Sequence, residues 1–216
     1  MLNLSVNNAR RFLFLGAHSD DIEIGCGGTI LSLAQRRPDI QVLWAVLSAE
    51  GPRAAEARRS ARDYLAGFEG KTKVIVSKFR GSYFPDQWAG IKAQIEKLRR
   101  EFEPEVVFTH FREDRHQDHR VLSDLAWNTF RNHLIFEYEI PKFDGDMGQP
   151  NVFHALSRSV MERKIELLIK HFGTQRSKHW FDRDTFAGLM RLRGMECVAP
   201  DGFAEAFHMR KLPITF

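Results

Sequence analysis

At 216 residues, with 43% hydrophobic and 28% charged side chains, the chain can bury a sizeable core and has the balance of a globular protein. No apolar run is long enough to cross a bilayer, the opening Met1–Asn8 lacks the basic flank and apolar stretch of a secretory leader, and two distant cysteines, Cys26 and Cys197, argue for a reducing, cytoplasmic setting rather than a disulfide framework. The net charge of +4 does not make a nucleic-acid binder, because the densest basic group (Arg53, Arg58, Arg59, Arg62) is interleaved with Glu56 and Asp63 as on a solvated helix face; a mild positive field favours an anionic small molecule instead.

In chain order the pattern predicts strand about 11–16, helix about 26–36, strand about 41–47, helix about 53–67, strand about 73–77, helix about 88–102, strand about 105–109 and helix about 118–131. The strands are nearly continuous apolar runs, such as Val42-Leu43-Trp44-Ala45-Val46-Leu47, as expected where helices cover both faces of a parallel sheet. Pro38 and Pro104 each stand between a helix and the next strand. A further strand, Leu134–Ile140, precedes a polar, turn-rich loop, Lys142–Asn151. Helices about 158–171 and 182–193 and a strand at about 206–211 complete the chain. The expected fold is α/β: a Rossmann-like three-layer domain spanning 1–216, its core about 10–131, with a mostly parallel sheet and a helical C-terminal extension.

Chemistry concentrates at two strand ends. Ala17-His18-Ser19-Asp20-Asp21 follows the first strand, and His116-Gln117-Asp118-His119 follows the strand Val106-Val107-Phe108. Ligand sites in open α/β sheets lie beyond such carboxyl ends. Two histidines and a carboxylate hold zinc with a position left for water, and a spare carboxylate and histidine remain for proton transfer. Adjacent carboxylates such as Asp20 and Asp21 are costly to bury together without a cation. Gly25-Cys26-Gly27-Gly28 lacks the spacing of a dinucleotide fingerprint. A 2-His-1-carboxylate iron oxygenase uses similar atoms but is common on jelly rolls, unlike the alternation seen here. A non-catalytic metal- or sugar-binding module would close its metal with four protein ligands, leaving no unligated acid and base.

Ala-His-x-Asp-Asp after the first strand, with His-x-Asp-His after a later one, resembles the LmbE-like or PIG-L family of zinc-dependent N-deacetylases, over roughly residues 10–131 and again at Ala204-Glu205-Ala206-Phe207. The resemblance implies that His18, Asp21 and His119 ligate Zn2+ (or another divalent transition metal) and that Asp20 is the general base. It implies further that His116 stabilises the oxyanion and protonates the leaving amine, with Asp118 orienting it. It also implies an N-acetylated amino sugar or glycoconjugate as substrate; an N-acyl compound without a sugar, or a thiol conjugate, is the alternative. Ser19 departs from the family's usual proline and has no assigned role.

Other assignments are looser. Arg53 resembles a substrate-contacting arginine of the family, or else pairs with Glu56 across one helical turn. Asp144, Asp146 and Asn151, in the long loop, are expected to bind sugar hydroxyls, or else close turns on their own backbone. Glu50 and His110 also stand at strand ends, whereas Trp127, Phe130 and Phe136 read as core. His171, His179 and His208 read as structural or surface residues. The chain is compatible with a homo-oligomer.

Overall fold

The computed structural model describes residues 5–213. Met1–Leu4 of the opening segment and the last three residues of the expected 1–216 domain lie outside that range. Seven strands form one sheet in the order β3-β2-β1-β4-β5-β7-β6. They are β1 (Arg11–Gly16), β2 (Gln41–Val46), β3 (Thr72–Val76), β4 (Val106–His110), β5 (Leu134–Tyr138), β6 (Val152–Leu156) and β7 (Phe203–His208). The first five run parallel; β7 is antiparallel to both β5 and β6.

Between them lie α1 (Asp21–Arg36), α2 (Gly51–Leu65), α3 (Trp88–Phe102), α4 (Gln117–Thr129), α5 (Arg158–His171) and α6 (Arg183–Glu196). The alternation along β1 shows why Phe12–Leu15 are all apolar. Phe12 and Phe14 join one buried cluster with residues of α1, α2, α5 and α6, while Leu13 and Leu15 join another with residues of α3 and α4. Each face therefore has its own core, the arrangement that uninterrupted apolar strands require.

The chain enters the sheet at β1, whose neighbours are β2 on one side and β4 on the other. That is where the crossover direction reverses, so the loops after β1 and β4 diverge and leave a crevice. The region after 140 is more than helical, because β6 and β7 extend the sheet. β6 escapes the sequence pattern: it lies at the sheet edge, carries His154 at its centre, and buries Leu156 alone fully.

α1 begins five residues before its expected start and is broken at Cys26, whose φ of −144° is not helical. The glycines around the break are packing positions rather than a turn. A Cβ on Gly25 would lie 2.2 Å from the Tyr138 ring. Past the break, the Gly28 and Thr29 N–H groups donate to the Glu205 carboxylate, each at 2.7 Å, and the Lys164 ammonium donates to the same carboxylate at 2.6 Å. Glu205 thus caps the second part of α1 from a distant strand.

Candidate active site

The two motifs meet at this crevice. His18 comes from the β1–α1 connection, Asp21 from the first position of α1 and His119 from the first turn of α4. His18 Nδ1 lies 3.2 Å from His119 Nε2 and 3.4 Å from Asp21 Oδ2, and the last two are 3.6 Å apart. Tetrahedral zinc with ligand bonds of about 2.0–2.1 Å sets its donors about 3.3 Å apart. This donor set fits the ion. The other nitrogen of each histidine faces a carboxylate: His18 Nε2 is 3.0 Å from Asp118 Oδ2, and His119 Nδ1 is 2.9 Å from Asp114 Oδ2. Carboxylate backing of this kind fixes the tautomer and raises ligand basicity.

Two further groupings, His18–His116–His119 and Asp21–His110–His119, also bring ligand atoms within 4.8 Å. In the second, His110 stands behind Asp21 and His119. His110 is fully buried, with Nε2 3.1 Å from Asp21 Oδ2 and 3.0 Å from the Ala17 N–H, and its ring stacks on His119 at 3.8 Å.

The electrostatics reflect this crowding. Burial opposes charge on His18, but Asp21 and Asp118 outweigh it and raise its pKa to about 10. Burial pushes the Asp21 carboxyl up, yet His119, His110 and His18 hold it well below the usual carboxylate range. His119 is drawn down to about 4, by burial first and then by His110. Asp20 is raised by burial, with Arg53 opposing. His18, Asp21 and His119 crowd basic nitrogens against acidic oxygens, an arrangement a divalent cation satisfies.

Several expected roles change. Asp118 does not orient His116 through its carboxylate, which is occupied by His18 and by the N–H groups of Ser82 (2.5 Å) and Phe84 (3.1 Å). It meets His116 through its backbone N–H, which donates to Nδ1 at 3.2 Å and makes His116 the N-cap of α4. Arg53 does not pair with Glu56. Its Nη2 donates to Asp20 Oδ1 at 2.7 Å, while Glu56 accepts from Thr174. Asn151 is spent on structure: its amide nitrogen donates to the Met209 carbonyl at 3.0 Å and its oxygen accepts the Met209 N–H at 2.9 Å, closing the end of the β6–β7 pair. Asp144 is exposed at a turn, with no hydrogen bond from a described residue.

Residues the sequence reading passed over complete the wall. Lys142, which opens the long loop, lies 3.0 Å from Asp114 and 2.5 Å from Asp146, so it joins that loop to the carboxylate behind His119. Asp114 stands two residues before His116, and the Asp-x-His-x-Asp-His spacing is the signal that marks it. Ser82, at a left-handed φ of 66°, belongs to the loop after β3 and has no such signal.

Comparison with known proteins gives this fold and site a class. The profile of the PIG-L family, described as GlcNAc-PI de-N-acetylase, matches residues 13–130, more than half of the chain. The chain belongs to the PIG-L family of deacetylases, which are amide hydrolases. It is 26% identical over 173 residues to the uncharacterized deacetylase YaiS of Escherichia coli (strain K12), covering 77% of this chain and 93% of that one.

Among solved structures, N,N'-diacetylchitobiose deacetylase from Pyrococcus horikoshii matches with a TM-score of 0.73 at 19% identity, over 94% of this chain and 85% of that one. GalB, the 4-carboxy-2-hydroxymuconate hydratase of Pseudomonas putida KT2440, matches with a TM-score of 0.75 at 17% identity, over 96% and 98%. At such identities these likenesses establish the fold alone, and the fold evidently serves more than one reaction.

Proposed function

We propose that the protein is a zinc-dependent hydrolase that removes the N-acetyl group from an amino-sugar-containing small molecule. The carrying observation is the convergence of His18 Nδ1, Asp21 Oδ2 and His119 Nε2 within 3.6 Å of one another, each histidine backed by a carboxylate, with Asp20 and His116 left unligated beside them. A site that only held metal would be closed by a fourth protein ligand. When bound, zinc supplies a water acidified toward neutrality and polarises the amide carbonyl.

The chain's own groups do the rest. Asp20 has Oδ1 taken by Arg53, and its Oδ2 carries no hydrogen bond from a described residue, so Oδ2 is the oxygen that takes the proton of the attacking water. His116 accepts the Asp118 N–H at Nδ1, which places the proton of the neutral ring on Nε2. Nε2–H donates a hydrogen bond to the developing oxyanion, and the proton that the departing amine nitrogen needs comes from Asp20, which took it from the attacking water. Water and the N-acetyl compound thus give acetate and the free amine. Arg53 and Asp144 remain the residues proposed to meet the substrate.

The test is a released-acetate and free-amine assay over N-acetylhexosamines, UDP-linked N-acetyl sugars and N-acetylglucosaminides, before and after chelation and with zinc restored. Chelation is expected to abolish acetate release and zinc to restore it. Acetate release unaffected by complete metal removal overturns the mechanism. Failure on every sugar together with release from a non-sugar N-acyl compound moves the assignment to the alternative substrate class.

A further inference from the structure

Ser19 is fully buried, and its hydroxyl accepts the Arg53 Nε–H at 2.8 Å. The neighbouring Nη2 of the same guanidinium donates to Asp20 Oδ1 at 2.7 Å. The direct route from the Ser19 hydroxyl to Asp20 Oδ1 is 3.5 Å, beyond the range of a strong O–H···O bond. Whatever Ser19 does to Asp20 therefore passes through the arginine.

A single N–H to one carboxylate oxygen leaves a guanidinium free to swing about that contact. Two donors on one edge, fixed to two acceptors on consecutive residues, set its plane. We infer that Ser19 is a positioning residue that locks the Arg53 guanidinium across Asp20, holding Oδ1 so that Oδ2 stays turned to the reacting water. The catalytic part of this inference rests on Asp20 acting as the base. The Arg53 side chain is 37% exposed, so the lock works at the mouth of the cleft, where an unanchored arginine would be drawn toward solvent.

Two measurements on the zinc-loaded protein test this. In the 1H–15N spectrum the Arg53 Nε–H is expected to exchange with water about 10-fold faster in Ser19→Ala and Ser19→Pro than in the parent, as loss of one hydrogen bond implies. The Ser19 N–H donates to no described residue, so proline costs no backbone bond there. Acetate release is then compared in a cycle. Ser19→Ala is expected to lower kcat about 10-fold in the parent, the scale of a lost orienting contact, and to have no further effect in an Arg53→Met background. Unchanged Nε–H exchange overturns the lock, whether or not any tried compound is a substrate. Faster exchange with an unchanged kcat, or an equal loss in both backgrounds, overturns the positioning role.

Discussion

Asp118 offers the sharpest test of how the site is held. Its carboxylate is fully buried and accepts from three donors: His18 Nε2 at 3.0 Å, Ser82 N at 2.5 Å and Phe84 N at 3.1 Å. Asp118→Asn keeps the shape but replaces one acceptor oxygen with an NH2 group. If the remaining oxygen keeps His18 and Ser82, the NH2 meets the Phe84 N–H donor to donor, and a buried orphan of that kind costs about 1–3 kcal/mol. Removing the charge behind a metal-binding histidine costs about 10–100-fold in metal affinity, or about 1.4–2.8 kcal/mol, so the two figures describe a loss of one size. Competition with a chelating indicator at pH 7 is expected to show the zinc Kd of Asp118→Asn raised by about 10–100-fold, with most of the turnover recovered at saturating zinc. Zinc affinity within twofold of the parent, together with a large fall in kcat at saturating zinc, would refute this reasoning and return Asp118 to the service of His116.

Asp20→Asn is expected to keep its metal and lose about 10²–10⁴ in kcat, the scale of general-base catalysis, whereas Asp21→Asn loses the metal itself; equal metal loss in both, measured by elemental analysis, erases the distinction. Glu205→Gln strands the buried Lys164 ammonium and is expected to cost about 3–5 kcal/mol in urea unfolding, with a cost under about 1 kcal/mol contradicting the capping role. His208 has its pKa drawn from 6.5 down to about 4 by burial and by Arg193 and Arg210, so the folded state disfavours its proton. Its contribution to stability is therefore complete above the unfolded pKa and is lost as pH falls from 6.5 towards about 4. His208→Leu is expected to flatten the urea midpoint across that window, and curves parallel to the parent's count against it.

The sheet was readable because β1, β2 and β4 bury both faces and so carry unbroken apolar runs (Phe12–Leu15, Val42–Val46, Val106–Phe108), a signal no helix surface imitates. Where an element meets the rest of the molecule on one side or through backbone alone, that signal fades. β6 shows the first case. α1 shows the second: Gly25, Gly27 and Gly28 look like a turn, yet they are small because Tyr138, Tyr64 and Leu156 with Glu205 press on the helix backbone. That His18, Asp21 and His119 meet was legible for the opposite reason, since each motif is contiguous and the parallel pairing of β1 with β4 brings the two together. Which carboxylate backs which histidine was not legible. Asp114 and Asp118 lie on either side of His116, and only the path of the loop after β3, whose N–H groups claim Asp118, decides between them.

The loop Lys142–Asn151 carries the same lesson for specificity. Both ends are committed: Lys142 binds Asp146 and also the Asp114 carboxylate behind His119, and Asn151 pins the β6–β7 pair. Replacing the whole loop would therefore disturb the carboxylate behind His119, so the segment is not a module that can be exchanged without touching the candidate site. Between those anchors, Phe143 is 73% and Met147 37% exposed, and Asp144 and Gly145 form an open turn. Any discrimination among substrates that this loop supplies has to come from those positions and from the exposed Gln149, whose side chains are free to vary while Lys142 keeps the loop tied to Asp114 behind His119.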